Sequence, residues 1–134
     1  MEFTWPIRVY YEDTDSGGVV YYANYLRFFE RARTEFLRQF DIQQDKLIKH
    51  QNIIFAVRNI NVDYRKPAVF NDLLTVATEI VELKKASLVF KQTIKRDGEE
   101  TALCQAACKV ACLQADVLKP TAIPELIIQA LEDN

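Results

Sequence analysis

The residues best suited to chemistry lie in a short loop, where Asp15 is followed by Gly17 and Gly18 and then by a helix start at residues 22–24. Backbone N–H groups at a helix start have no intrahelical acceptor, so they can stabilise the oxyanion of acyl transfer. Glycine lets a ligand approach the backbone closely. A carboxylate beside them can attack an acyl carbon or take a proton from water, and the sequence alone does not separate these routes. The alternative is that Asp15 only caps or turns the chain, which is the commoner role of an aspartate before a helix.

This loop is predicted to join a strand to the longest helix of the chain. Apolar and polar side chains alternate over residues 7–12, which predicts a first strand running to about Glu12. From residue 22 to residue 40 apolar side chains recur at three- and four-residue steps, which predicts an amphipathic helix. Arg33 and its charged neighbours on this helix are expected to be surface charges or intrahelical pairs with structural roles.

The rest of the chain predicts a sheet for that helix. A strand over residues 53–64 changes its buried face near Arg58 and Asn59, which indicates a bulge. Three further strands and a terminal helix follow, with predicted spans of 74–83, 88–94, 101–113 and 124–132. One long central helix on a five-stranded antiparallel sheet, with a short C-terminal helix, is an α+β architecture. Its order fits the hot-dog fold, although periodicity alone allows other topologies.

Composition limits the other possibilities. A length of 134 residues fits one domain over residues 1–134, and a formal charge of −2 gives no general attraction to nucleic acid. No apolar stretch is long enough for a membrane span, and residues 1–6 do not resemble a signal peptide, so a cytoplasmic protein is expected. The three cysteines are expected to be reduced, buried and unable to share a metal ion, because strand residues four apart lie about 13 Å from each other.

The loop and the first half of the helix carry a specific motif. Residues 10–25 read YYEDTDSGGVVYYANY and residues 29–34 read FERART. This sequence strongly resembles the 4-hydroxybenzoyl-CoA-thioesterase type of hot-dog enzyme. It is most similar to the acyl-CoA thioesterases of the bacterial Tol-Pal gene cluster. The resemblance covers nearly the whole chain, including FAVR at 55–58, SLVF at 87–90 and LKP at 118–120.

The resemblance implies hydrolysis of acyl-CoA thioesters to a free acid and CoA, with no cofactor. The family's catalytic carboxylate falls on Asp15, and the helix-start amide that binds the thioester carbonyl falls on Tyr22. Gly17, Gly18, Asn24 and Tyr25 are expected to contact substrate. Tol-Pal-associated members usually have histidine where this chain has Tyr22, whereas 4-hydroxybenzoyl-CoA enzymes have an aromatic residue there. Activity is therefore expected to persist, with a changed acyl preference.

Basic residues at a strand turn are implied to hold the CoA phosphates. In related thioesterases such residues fall where this chain has Lys84 and Lys85, followed by Ser87, and a cation with a hydroxyl donor suits a phosphate. Secondary candidates are Arg58, Arg65 and Lys66. The carrier is CoA or acyl carrier protein. Hot-dog subunits generally pair so that each site forms between two chains, and this family commonly makes tetramers, so a homo-oligomer is expected.

Three alternatives remain at this stage. A non-catalytic acyl-thioester-binding or scaffold protein would use the same groove, although retention of Asp15 argues against it. A hot-dog dehydratase would need a histidine acid/base partner where Tyr22 stands. His50, the only histidine, could supply an imidazole, but nothing in the sequence brings it near Asp15.

Overall fold

The computed structural model describes residues 2–133, which form five strands and three α-helices. The strands are β1 (Phe3–Arg8), β2 (Ile53–Tyr64), β3 (Leu73–Leu83), β4 (Ser87–Arg96) and β5 (Ala102–Gln114). The helices are α1 (Asn24–Arg38), α2 (Gln44–Gln51) and α3 (Glu125–Glu132). The strands form one antiparallel sheet in the order β1-β3-β4-β5-β2, so the predicted α+β hot-dog architecture is confirmed.

β2 is an edge strand of 12 residues that pairs along its length with β5. The pairing register shifts between Val57 and Asn59, which confirms the bulge predicted from the change of buried face. Within the described residues the other edge of β2 has no partner strand. Long unpaired edges are ready templates for pairing with a second chain.

α1 lies on one face of the sheet and supplies much of the core. Its side chains Phe28 and Phe29 are fully buried in a cluster with Leu74, Ile94 and Cys104. The even-numbered positions of β5 from 104 to 112 are all buried, so this strand turns one face toward α1 as its alternating pattern predicts. At about 25 cal/mol per Å² of buried apolar surface, such a stripe dominates the stability of the helix, since propensity alone stabilises a 15-residue helix only marginally.

A buried polar group fixes α1 to the sheet. Arg33 is 8% exposed, and its guanidinium donates to Gln92 Oε1 at 3.0 Å. Gln92 in turn donates through Nε2 to the carbonyl of Phe29 at 2.9 Å and to Thr78 Oγ1 at 3.1 Å. Burial lowers the pKa of Arg33. The expectation that Arg33 would be a surface charge or an intrahelical pair is therefore wrong, because the residue lies on the helix face that packs against the sheet.

Two elements differ from the prediction. β1 ends at Arg8 rather than at Glu12, because the Asp13 carboxylate accepts the N–H of Tyr10 at 2.9 Å and closes a 3₁₀ turn over Tyr11–Asp13. α2 lies in a segment for which the sequence predicts no helix. It buries a single residue, Leu47, so it carries little of the periodic apolar signal by which helices are recognised.

β1 also begins at Phe3, four residues before the predicted alternation at Ile7. The other predicted ends agree with the structure within about two residues, which is the usual uncertainty of helix boundaries. Pro124 occupies the N-cap of α3, and Asn52 ends α2 with a positive φ of 57°. Over residues 2–133 no helix combines the length and the apolar character needed to cross a membrane.

Candidate active site

The Asp15 loop, defined here as residues 13–22, is a closed turn between the 3₁₀ segment and α1. Thr14 and Val20 pair as an antiparallel bridge, and the N–H of Asp15 donates to the carbonyl of Val19 at 2.9 Å. Gly18 N–H then donates to Asp15 O at 3.0 Å, with φ at +80° for Gly18. A glycine is required there because an L side chain is strained at that angle.

The Asp15 side chain is exposed and only partly engaged. Its Oδ1 accepts the N–H of Gly17 at 2.8 Å, whereas no residue between 2 and 133 donates a hydrogen bond to its Oδ2. A Cβ atom at Gly17 would lie 3.2 Å from Oδ1, so the absence of a side chain there leaves room for the carboxylate. One oxygen is thus oriented by the loop, and the other is free to act on a ligand.

Tyr22 supplies a free backbone N–H at the start of α1. No acceptor for this N–H is found in the part of the chain that the structure describes. The carbonyl of the same residue accepts the Tyr64 hydroxyl at 3.2 Å, which ties the segment to the end of β2. A free N–H before a 15-residue helix carries partial positive charge, so it is a suitable donor to a carbonyl oxygen that gains charge.

Three tyrosine rings surround this position. The rings of Tyr21 and Tyr22 lie 4.9 Å apart, and those of Tyr22 and Tyr64 lie 6.2 Å apart at nearly a right angle. All three are exposed, between 45% and 59%. The Tyr22 phenol raises the pKa of Tyr21, and the Asp15 carboxylate adds to that increase, so Tyr21 lies within electrostatic range of Asp15. The raised pKa keeps the Tyr21 phenol beside the carboxylate protonated at neutral pH.

A second loop, residues 67–72, supports the Asp15 loop from below. Val20 N–H donates to Ala68 O at 2.9 Å, and Val19 pairs with Val69. This second loop is held in turn by Arg96, which pairs with Asp72 Oδ2 at 3.0 Å. The position of Asp15 thus depends on contacts that reach back to the end of β4.

Asn24 and Tyr25, predicted to contact substrate, have buried side chains. Asn24 Nδ2 donates to the carbonyl of Asp13 at 2.8 Å. The Tyr25 hydroxyl accepts the N–H of Ala68 at 3.0 Å, and burial raises its pKa. Both side chains bond to the two loops described above, and substrate contact by either of them stays a prediction.

Lys84, Lys85 and Ser87 lie at the other end of the sheet. Ser87 begins β4, whereas Ile94, which pairs with Cys104 opposite Tyr64, marks the end near Asp15. Seven strand residues span about 23 Å. The structure therefore brings Asp15, Gly17, Gly18 and Tyr22 together within one chain and leaves the predicted phosphate-binding residues apart from them. Lys84 Nζ is also paired with Glu82 Oε1 at 3.1 Å.

A groove of about 420 Å³ lies beside Ser87 on the sheet face opposite α1. It is called the outer-face groove here and is lined by Ser87, Arg58 and Lys109 over an apolar floor. Arg58 was predicted only as a secondary candidate, and Lys109 was not predicted. The available signal was the alternation of β5, which places odd-numbered residues on the face away from the core.

The remaining candidates lie away from Asp15. His50 is on α2, which leads into the start of β2 at the end of the sheet remote from Asp15. Burial raises the pKa of Cys104 to about 12 and that of Cys112 to about 11, as expected for buried thiols. Within residues 2–133 no group of three or more His, Cys, Asp or Glu residues is arranged to hold a metal ion.

Known proteins share this fold and much of this sequence. A probable thioesterase from Bartonella henselae superposes with a TM-score of 0.87 at 35% identity, covering 92% of this chain and all of that chain. A 4-hydroxybenzoyl CoA thioesterase mutant, solved with 4-hydroxybenzoyl CoA, superposes with a TM-score of 0.89, covering 97% of this chain and 98% of that one. Their identity of 21% shows the fold alone. The fold is thus that of the hot-dog thioesterases.

The sequence comparisons are more specific than the fold. The profile of the thioesterase-like superfamily matches residues 9–131, which include the whole Asp15 loop. Acyl-CoA thioesterase YbgC of Haemophilus influenzae is 47% identical over 123 residues, which are 92% of this chain and 89% of that protein. The chain belongs to the thioesterase-like superfamily.

Proposed function

We propose that this protein hydrolyses acyl-CoA thioesters to a free acid and CoA, with Asp15 as the catalytic carboxylate. The observation that carries the proposal is one closed loop that holds a carboxylate with a free oxygen and, at Tyr22, a free helix-start N–H. The YbgC relatives are named acyl-CoA thioesterase or acyl-CoA thioester hydrolase, and they are similar to this chain over the same loop. The geometry of the loop and the similarity to these relatives therefore support the same reaction.

In the proposed reaction the thioester carbonyl oxygen accepts the N–H of Tyr22, which polarises the acyl carbon. Asp15 then either takes a proton from water, so that the hydroxide attacks this carbon, or attacks it directly to form an anhydride. The negative charge that develops on the carbonyl oxygen is stabilised by the N–H and the helix dipole. The C–S bond breaks as the oxyanion collapses, and the CoA thiolate leaves and takes up a proton. In the anhydride route a water then releases the acid and restores Asp15.

The separation of Asp15 from Ser87 leads us to propose that a complete site uses two copies of the chain. The unpaired edge of β2 suits an antiparallel, two-fold contact, which places the start of β2 in one copy beside the end of β2 in the other. The Ser87 end of one protomer then lies near the Asp15 loop of its partner. In this arrangement Lys85, Arg58 and Lys109 supply the positive charge for the CoA phosphates.

Asp15→Asn tests the catalytic assignment. Asparagine keeps an oxygen to accept the Gly17 N–H, so the loop should fold, but it can neither attack nor take a proton. CoA release from short, long and aromatic acyl-CoAs is followed by chromatography, because the protein's own thiols would react with thiol reagents. Wild type should turn over and Asp15→Asn should lose about 10³-fold or more in kcat. Asp45→Asn, an exposed carboxylate on α2, is the matched control.

Two results would decide against parts of this proposal, and a third would choose between its two routes. Full activity of Asp15→Asn would assign the chemistry to another residue. Binding of acyl-CoA without CoA release by wild type would favour the non-catalytic acyl-binding protein. An acyl-Asp15 anhydride trapped by rapid quenching and mass spectrometry would select the nucleophilic route over the general-base route.

Mixed oligomers test whether the site is shared. Asp15→Asn and Lys109→Glu protomers each lack one part of the proposed site, so each variant alone should hydrolyse acyl-CoA poorly. If the site uses two copies, a mixed dimer has one site with both wild-type parts and recovers activity after mixing and reassembly. If each protomer binds and cleaves alone, mixing restores nothing.

A further inference from the structure

Asn24 lies at the junction between the Asp15 loop and α1. It is the first residue of α1 and is 9% exposed, so its side chain is sealed from solvent. The side-chain Nδ2 donates to the carbonyl of Asp13 at 2.8 Å, and the backbone N–H donates to the carbonyl of Tyr21 at 2.8 Å. One residue therefore bonds to both arms of the loop: the carboxylate arm, residues 13–15, and the amide arm, residues 21–22.

These two acceptors belong to the parts of the loop that carry the reacting groups. The Asp13 carbonyl also accepts the N–H of Tyr21 at 2.9 Å, so a single oxygen joins the two arms just below Asp15. The Tyr21 carbonyl belongs to the same planar peptide group as the N–H of Tyr22, so the bond from Asn24 fixes the direction of that N–H. The Asn24 contacts thus relate the carboxylate arm to the amide arm.

No other side chain can substitute for this contact. The N-cap residue Ala23 makes no side-chain cap, and among residues 2–133 no other α1 side chain hydrogen-bonds to residues 13–22. A buried amide that donates to a backbone carbonyl is a precise constraint. Its loss leaves the Asp13 carbonyl with only the Tyr21 N–H and removes the side-chain hydrogen bond that ties this arm to α1.

We propose that Asn24 is a positioning residue that sets the separation between the Asp15 carboxylate and the Tyr22 N–H. It does so without touching the substrate, which replaces the earlier expectation of substrate contact. This inference rests on the proposed function. A shift of about 1 Å in a reacting group lowers the rate roughly 100-fold, so loss of this contact should lower kcat far more than it weakens substrate binding.

The test compares Asn24→Ala and Asn24→Ser with Thr78→Val. Serine is compatible with the first turn of a helix, but its short hydroxyl does not reach Asp13. Thr78→Val is the matched control because it removes one buried hydrogen bond, from Gln92, without touching the Asp15 loop. Three quantities are measured for each protein: kcat with acyl-CoA, Kd for a thioether analogue of the same acyl-CoA, and amide hydrogen exchange over residues 10–24.

Both Asn24 variants should lose 10- to 100-fold in kcat, bind the analogue within about threefold of wild type, and exchange faster over residues 10–22. Thr78→Val should keep wild-type kcat and exchange there. Wild-type kcat in either Asn24 variant overturns the inference, and so does a tenfold weaker Kd with unchanged kcat, which would mean substrate contact. If wild type hydrolyses no acyl-CoA, the proposed function fails separately. Hydrogen exchange then decides alone, and unchanged exchange in the Asn24 variants overturns the inference.

Discussion

Alanine substitutions at the three glycines can distinguish the effect of Asp15 orientation on activity from the effect of loop strain on stability. Gly17 has no unusual φ, but a Cβ placed on it would lie 3.2 Å from Asp15 Oδ1. Gly18 and Gly98 have φ angles of +80° and +79°, and neither would bring a Cβ within 4 Å of another atom. Gly98 is in the turn between β4 and β5, outside the Asp15 loop. Changing each glycine to alanine therefore tests a different property. The change at Gly17 tests the orientation of Asp15, the change at Gly18 tests backbone strain within the Asp15 loop, and the change at Gly98 tests backbone strain outside it.

The expected magnitudes follow from these distances and angles. In Gly17→Ala the carboxylate must move by a few tenths of an ångström. Catalytic groups need to be held within about 0.5 Å, so kcat should fall roughly 3- to 10-fold. Stability should change little, because alanine restricts the unfolded chain by about 0.4–1 kcal/mol and offsets the weakened, exposed bond to Oδ1. Gly18→Ala and Gly98→Ala should each cost ~1–2 kcal/mol for a positive φ.

The assay is CoA release together with thermal unfolding for all three variants. Gly17→Ala should keep the wild-type Tm and lose activity, whereas Gly98→Ala should lose roughly 4 °C or more in Tm and keep its activity. Gly18→Ala should lose both, because its strain falls within the Asp15 loop. If Gly17→Ala keeps full kcat at saturating substrate, the orientation of Asp15 by the Gly17 N–H does not matter for the reaction, and this reasoning is refuted.

Other contacts give predictions with separate measurements. Arg96→Ala should lower the free energy of unfolding in urea by about 1–2 kcal/mol, because it removes the bonds to Asp72 and to the Pro67 carbonyl, and Arg96→Lys should recover less than half of this loss. Tyr25→Phe should cost about 1–3 kcal/mol in the same assay, since the buried N–H of Ala68 loses its acceptor. Burial raises the pKa of Cys104 to about 12, above the unfolded-state value of about 8.5. The contribution of the buried neutral thiol to the free energy of unfolding is therefore complete below a pH of about 8.5 and is lost as the pH rises toward 12. Urea unfolding at pH 8.5 and 10 should show this fall, and Cys104→Ala should reduce the slope by up to about 1.4 kcal/mol per pH unit, with an unchanged slope contradicting the assignment.

Local patterns in the sequence were sufficient for most of the fold. The long helix, the β2 bulge and the terminal helix each leave a periodic or punctuated signal within a few residues, and each was predicted within about two residues. α2 was missed because only Leu47 is buried and the other apolar residue of the helix, Ile48, is exposed. Arg33 was wrongly predicted to be exposed because its sequence signals conflict. Its charge indicates surface, but its position on the helix indicates core, and Gln92 resolves the conflict by accepting its hydrogen bond across 59 residues.

The candidate site likewise has one part that the sequence predicts and one part that it does not. All the hydrogen bonds that close the Asp15 loop on itself and on Asn24 join residues at most 11 apart, so the motif contains the information that shapes it. The support from Ala68 and Arg96, and the distance between Asp15 and Ser87, depend on the register of the sheet. No local pattern contains that register. The Asp15 loop was therefore predictable, and the separation of the two predicted halves of the site was not.

This separation has a consequence for substrate recognition. If the Asp15 loop performs the chemistry and the outer-face groove holds the phosphates, a thioester without phosphates should not depend on the groove. We predict that Lys109→Glu lowers kcat/KM for acyl-CoA by 10-fold or more, because it places a negative charge where the phosphates are proposed to bind. With the matching S-acyl-N-acetylcysteamine, which keeps the thioester but lacks the nucleotide, wild type and Lys109→Glu should have equal kcat/KM. An equal loss on both substrates would mean that Lys109 acts through folding or assembly, and no loss on either would remove the groove from the site.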